Sequence, residues 1–480
     1  MPRSTNFQTI PYQVVGDSYV SSAKDLSTQY TKNMYPVKAP NSLNAQSGAA
    51  LLSFPGLKLF ASGSGQGPDR GIYKRTFAGK GWKVSGSTLY SFDSSGTLTS
   101  EGTIPGSSLV SMADNGVNLM IVNGSDAYIH DGSSLSLLTL SFDPLQVAYL
   151  NQQFIVLDST GKIRISSVGS TTFPGTNFFE AESSSDETVS SIVFNQFVLN
   201  FGTDTIEPWE NTGTGTPPFE RMNGAIIEDV GALNRNCIAS TKDGVYFIGS
   251  DGLPYVMQSF QATKLTLNNQ GIAHLFRGYG KANAFVRVLP VQGQNVVAFS
   301  FPQNNKTWCF SEQTGLWFEL THDTTDTMWL GKTSAFLFDK TLVGDRLNGN
   351  IYELDINTYQ DNSTDKVRER VFKPFSGTDL GVPRQNLQLK SVRYSVETGV
   401  GDSDDNPQML VSYSTDGGRS YSNERSLELG EEGDYLNSVE DFRNIKFTDL
   451  VIKIRYVENT RFSLYNSSID FKVAGRAHRK

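Results

Sequence analysis

The residues best placed to do chemistry form Ser414-Thr-Asp-Gly-Gly-Arg-Ser-Tyr421, which fits the Asp-box pattern Ser-x-Asp-x-Gly-x-x-aromatic. Such a stretch asks for a tight turn: the carboxylate accepts from backbone amides, glycine supplies a positive φ, and the aromatic ring packs beneath. As function, it would announce a glycan-cleaving enzyme. As structure, it is a stable hairpin turn. The box occurs once, outside the repeats described below, and no set of arginines and acid/base carboxylates accompanies it. The hairpin is the expectation.

The remaining candidate groups stand apart from one another. His130, His274, His322 and His478 are the only histidines, and no two have metal-ligand or HExxH spacing. Cys237 and Cys309 are equally isolated and are expected to be buried apolar thiols of a chain in a reducing compartment. The glycines of Arg277-Gly-Tyr-Gly280 lack the strand–turn–helix setting and the Lys-Ser/Thr of a phosphate loop. Glu431-Glu432 and the group Asp402, Asp404, Asp405 read as solvated acidic faces; the second group could hold Ca²⁺, though not with EF-hand spacing. Trp209, Trp308, Trp317 and Trp329 lie in or beside predicted strands, where core packing is the default. The sequence therefore marks no catalytic, cofactor-binding or metal residue, and it leaves the docking residues unspecified.

The elements that would position these groups are short strands in a repeat. From Val110 to Glu210 the order apolar run, turn, apolar run, turn, short strand occurs three times, starting at Val110, Val147 and Ile192; a fourth unit starts at Ile238. A period of about 40–50 residues with several strands is the spacing of a β-propeller blade. Before these, Gly71–Phe77, Gly81–Val84, Thr88–Phe92 and Gly96–Ser100 predict a first blade. After them, Asn295–Phe301, Thr307–Leu320, Thr333–Phe338 and Ile351–Asp355 predict the last ones, about six or seven in all. Residues 265–276 read as a short helix or loop. Residues 1–66 read as an extended arm punctuated by Asn33-Met-Tyr-Pro36 and Ser53-Phe-Pro-Gly-Leu57, and 67–360 as the propeller. Residues 361–480 carry longer alternating strands and predict an antiparallel, sandwich-like docking domain.

Composition agrees with an all-β, turn-rich chain: 480 residues, 38% hydrophobic and 19% charged, with 44 Gly and 30 Phe. The net charge of −8, with Lys and Arg scattered, gives no support for gripping nucleic acid through phosphate neutralisation. The basic end Arg476-Ala-His-Arg-Lys480 reads as a solvated tail. The first residues lack the apolar core of a signal peptide and no run approaches bilayer length, so a soluble protein made in the cytoplasm is expected.

Three stretches resemble one family. Asn33-Met-Tyr-Pro36 with Leu52-Ser-Phe-Pro-Gly-Leu57, then Asn195-Gln-Phe-Val-Leu-Asn-Phe-Gly-Thr-Asp-Thr-Ile-Glu207 followed by Glu210-Asn-Thr-Gly213, and Ser412-Tyr-Ser-Thr-Asp-Gly-Gly418 occur in the order and spacing of the packaged-DNA stabilisation, or tail accessory, proteins of short-tailed phages. The likeness spans arm, propeller and C-terminal domain. It implies a virion protein forming a ring, typically a homohexamer, as the nozzle below the portal and its adaptor. Such a ring extends the DNA channel, touches the DNA non-specifically, retains the packaged genome, and docks a tail needle or plug and tailspikes or fibres. It implies no cofactor and no catalytic residue. A mildly acidic nozzle is expected to let DNA slide, since the phosphates gain no counterion release. The arm is expected to order on the adaptor, leaving the isolated chain a monomer. A glycan-binding or sialidase-like propeller for host-receptor recognition is the alternative.

Overall fold

The computed structural model describes residues 7–19, 29–38, 48–63, 66–181, 186–383, 385–400 and 406–476. Within them the propeller has seven blades. Blades 1 to 5 are four-stranded antiparallel sheets over 69–103, 111–138, 144–179, 188–221 and 238–264, in strict sequence order. Blade 6 spans 285–322, and blade 7 is built from three strands of 331–355 plus Gly56–Ala61. The second strand of each blade explains why the repeat shows in the sequence. Leu119–Val122, Gln153–Asp158 and Val245–Ile248 are buried along their whole length, because a blade is covered by a neighbour on both faces. Such strands read as continuous apolar runs. Fully burying one Val, Leu, Ile or Phe contributes about 1.5–3 kcal/mol, so stacking of blades dominates the stability. The outer strands Leu98–Thr103 and Leu135–Leu138 keep one face in water.

The ring closes through the arm. Gly56–Ala61, read from sequence as part of the arm, pairs antiparallel with Ile351–Asp355, Leu57 opposite Leu354, and supplies the outer strand of blade 7. Blade 7 then meets blade 1: Asp69 and Lys83 of blade 1 form a fully buried pair at 3.4 Å, Lys83 Nζ donates to the Gly349 carbonyl at 2.8 Å, and Thr333 hydrogen-bonds Asp69. The stretch expected as helix or loop is the helix Gln270–Gly278 between blades 5 and 6. It is capped by Asn269, whose side chain accepts from Ile272 N at 3.0 Å, and it buries Ile272 and Phe276.

The other described strands of the arm join the C-terminal sandwich. One sheet has the order Met34–Lys38, Ala49–Ser53, Ser463–Arg476, Gln385–Val396, Val439–Phe447, with Gln8–Pro11 also paired to Ser463–Arg476. The facing strands Arg368–Val371, Asp449–Tyr456, Gln408–Ser414 and Arg425–Glu428 do not form a separate sheet. Tyr30–Lys32 lies between Trp317–His322 of blade 6 and Arg368–Val371, so a single eleven-stranded sheet runs from the propeller into the sandwich. The sandwich core joins arm residues Tyr12, Val14 and Met34 to Leu389, Val411, Ile452, Ile454, Ile469 and Phe471.

Candidate functional site: the seam between propeller and sandwich

The arm crosses the seam at the stretches that the sequence marked. Asn33 holds a left-handed backbone, φ 51°, which Asn adopts more readily than most residues. It is fully buried. Its side chain donates to Thr321 Oγ1 at 2.9 Å and to the Val367 carbonyl at 2.8 Å, and accepts from Thr321 N at 2.9 Å. The turn aims consecutive side chains apart. Met34 enters the sandwich core, while Tyr35 enters the propeller-side cluster with Phe54, Leu57, Phe318 and Trp329.

Phe54-Pro55-Gly56-Leu57 is the hinge of the same crossing. The Phe54 ring lies 5.9 Å from Tyr35, 5.9 Å from Phe318 and 6.3 Å from Trp329, centroid to centroid. Gly56 N donates to the Thr358 carbonyl at 2.6 Å and Leu57 N to the Gln360 carbonyl at 3.0 Å. A Cβ at Gly56 would stand 2.3 Å from the Gln360 oxygen, so only glycine allows the two backbones this approach.

Two buried charge clusters flank the crossing. Lys366 and Asp361 pair at 2.9 Å with both side chains out of water, and Lys366 Nζ also donates to the Pro55 carbonyl at 3.0 Å. Burial opposes the Asp361 charge, but Lys366 and His322 outweigh it and hold the carboxyl below its usual range. On the other side Glu319 faces Lys306 Nζ at 2.6 Å and hydrogen-bonds the Tyr30 hydroxyl, while Lys32 pairs with Asp326 at 2.6 Å. Burial, joined by the Asp326 and Glu369 carboxylates, pushes Glu319 up to about 8. Burial lowers Lys306 as well, with Lys32 adding to it, so both charges of this pair are disfavoured. Arg370 ties the arm down from below, donating to the Val14 carbonyl and to Thr31 Oγ1, each at 2.8 Å. These polar groups are engaged with one another, which makes the seam a weld. A shallow cleft lined by Tyr35, Pro55, Gln292, Tyr359 and Arg461 opens on its surface.

The Asp box is a hairpin turn. Asp416 accepts from Arg419 N and Ser420 N at 2.9 Å each and from Ser414 Oγ at 2.6 Å, with Gly417 and Gly418 at φ 74° and 82°. Those hydrogen bonds, led by Ser414 and Ser420, hold its carboxyl well below the usual range. The same device recurs in blades: Asp93, Asp158 and Asp323 each accept from the backbone amide two residues on.

The other candidates are dispersed. His130 is buried against Trp82, 3.4 Å from Glu101; His274 is exposed on the helix; His322 touches Asp361 at 3.7 Å. Cys237 and Cys309 are buried free thiols in different clusters, and burial pushes Cys237 up to about 12. Trp308, Trp317 and Trp329 are core residues, and Trp209 stacks on Phe179 at 4.2 Å. Gly280 of Arg277–Gly280 packs against Gln303, and Glu431 and Glu432 are exposed. Asp402, Asp404, Asp405 and His478 lie outside the described residues. Among the described residues no group of three or more His, Cys, Asp or Glu is placed to hold a metal ion.

This architecture has a counterpart. A family model for the β-propeller of bacteriophage P22 Gp10 matches residues 8–359, and one for the β-sandwich of the same protein matches residues 381–472. The chain belongs to the P22 Gp10 family. Membership makes it a structural phage virion protein and accounts for an all-β propeller followed by a sandwich. No curated protein matches the chain. Among solved structures, the WD40 propeller domain of Doa1 has 14% identity and a TM-score of 0.41 over 63% of this chain and 99% of that one. The N-terminal domain of Nup159 has 11% identity and a TM-score of 0.41 over 68% and 98%. The computationally designed Ika8 protein has 12% identity and a TM-score of 0.39 over 62% and 100%.

The remaining stretch that carries the family likeness also sits at a close approach. In Asn200-Phe-Gly-Thr-Asp-Thr205 the Gly202 carbonyl accepts from Ala232 N at 2.9 Å, and a Cβ at Gly231 would lie 2.0 Å from its oxygen. Asp186 accepts from Asp204 N at 2.9 Å and Thr205 N at 3.0 Å, closing the turn. Asn33 and Glu319 take their seam roles from partners hundreds of residues away, and Lys366, paired with Asp361 five residues before it, reaches the seam through the Pro55 carbonyl of the arm, so residue type alone marks none of them. The one local signal was Asn33 immediately before an apolar–aromatic–proline run.

Proposed function

We propose that this Gp10-family protein forms an oligomeric ring, a homohexamer, below the portal–adaptor of a short-tailed phage. It is made in the host cytoplasm and resides in the virion tail. The ring extends the DNA channel, retains the packaged genome, and docks a tail needle or plug and tailspikes or fibres for genome ejection. The observation that carries this reading is the match of both the propeller and the sandwich to the P22 Gp10 models.

The welded seam supports it physically. A nozzle under the pressure of packaged DNA needs propeller and sandwich to move as one, and a shared sheet with buried cross-links supplies that stiffness. The net charge of −8 suits a channel wall that does not hold phosphates. The carboxylate of the Asp box is consumed by its own turn, which disfavours the glycan-directed alternative.

Filled heads assembled without this protein should release DNA to nuclease, and adding the purified chain should restore protection. Genomes that stay nuclease-resistant without it would remove the retention role.

A further inference from the structure

The sandwich sheet that includes Gln8–Pro11 carries on its outer face an open hollow of about 250 Å³, lined by Thr9, Ser391, Arg393, Glu440, Ser468 and Asp470. Strand register builds it. Four strands set Thr9, Asp470, Ser391 and Phe442 in one row, and Pro11, Ser468, Arg393 and Glu440 in the next, two residues along each strand. Between the rows, Ile10, Ile469 and Val392 turn to the core. Ser391 and Ser468 stand where longer side chains would fill the face. The hollow therefore has hydroxyls for a floor and charged side chains for walls.

Measured contacts tie the walls together. Asp470 accepts from Thr9 Oγ1 at 2.5 Å and from Ser391 Oγ at 3.2 Å, and Lys390 Nζ stands 3.9 Å from it. Arg393 Nη2 donates to Glu440 at 3.2 Å, yet the Arg393 side chain stays 61% exposed, with further donors of its fork facing water. Asp470 and Glu440 against Lys390 and Arg393 leave no net formal charge. That balance disfavours a phosphate or a metal cation and suits a ligand that both gives and takes hydrogen bonds. Each flank presents an aromatic ring. Phe442, across from Ser391, is 59% exposed. Phe7, beside the opposite strand, is exposed as well and lies 5.6 Å from Lys390 Nζ and 4.9 Å from Lys472 Nζ, measured from its ring centroid. Three strand spacings of about 4.8 Å make the platform between the flanks ~14 Å wide.

We propose that this face of the sandwich is a binding site for a neutral saccharide, held in the hollow by Asp470, Glu440, Arg393 and the two serines and stacked on Phe442. The side chains match that chemistry. Sugar hydroxyls are donors and acceptors at once: they donate to the carboxylates, accept from Arg393 and Lys390, and exchange either way with Ser391 and Ser468. The apolar C–H face of a sugar ring covers the Phe442 ring, which the fold leaves bare. The Asp box follows Gln408–Ser414 in the facing sheet and takes no part. The site lies within one chain and does not depend on ring assembly.

An array of immobilised neutral oligosaccharides of glucose, galactose, mannose, rhamnose and N-acetylglucosamine, printed beside sialylated and sulfated ones, tests the site with the full chain. Calorimetry then measures the strongest ligand. At least one neutral glycan should bind, and added sodium chloride should leave its affinity unchanged, because the ligand carries no charge. Phe442→Ala and Arg393→Gln, each altered at an exposed side chain, should keep the wild-type Tm and bind at least about tenfold more weakly. Phe336→Ala, which removes a similarly exposed ring on blade 7, should bind as wild type does. Silence across the neutral glycans, a preference for the acidic ones, an unchanged affinity in either sandwich variant, or an equal loss in Phe336→Ala would overturn the site.

Discussion

The backbone amide of Phe54 donates to the carbonyl of Asn33 at 2.9 Å, joining two stretches of the arm at the point where it passes between propeller and sandwich. Around that bond the chain sends Met34 to one core and Tyr35 to the other, then enters blade 7 at Gly56. The arm is therefore a suture through both domains.

Asn33→Ala should destabilise the protein by about 3 kcal/mol or more, because it orphans buried groups of Thr321 and Val367 and places a Cβ-bearing residue without side-chain compensation at positive φ. Asn33→Gly keeps the backbone geometry and should lose less. Equilibrium urea unfolding checks the order of wild type, Gly and Ala; equal stability of all three would deny the residue its role.

Breaking the Asp361–Lys366 pair one partner at a time should cost about 3–5 kcal/mol, since each single variant leaves an uncompensated buried charge. Asp361→Asn combined with Lys366→Met should recover much of that loss. A double-mutant cycle by chemical denaturation measures the coupling, and additive losses would show that the pair does not act as a unit.

Glu319 gives the seam a pH dependence of definite sign. Its folded pKa of about 8 stands above the ordinary 4.5, so the folded state holds a proton that the unfolded state releases between those values. Its stabilising contribution is present in full below 4.5 and is lost as pH rises through about 8. The free energy of unfolding should fall across that window, and Glu319→Gln should flatten the profile. A Gln variant with the wild-type slope would assign the effect elsewhere.

Much of the propeller was legible in the sequence for a physical reason. Strands such as Gln153–Asp158 are buried on both faces, and their pairing partners lie within a few tens of residues, so apolar run and turn recur locally. The closing strand was not legible. Gly56–Ala61 pairs with Ile351–Asp355 from the far end of the propeller, and nothing near it in sequence declares that partner. The arm looked irregular because its strands, only three residues long at Tyr30–Lys32, serve different sheets in turn. The Asp box was legible in full because every group that defines it lies within eight residues, Ser414 to Tyr421.

The central claim is assembly into a ring on the head-to-tail connector, and mass photometry of the purified chain, alone and mixed with a purified portal–adaptor complex, tests it most directly. A single chain weighs 52.8 kDa. The account predicts a chain that is monomeric by itself and adds about six copies to the connector as one discrete species. A chain that stays at the mass of a monomer and leaves the connector unchanged would contradict it.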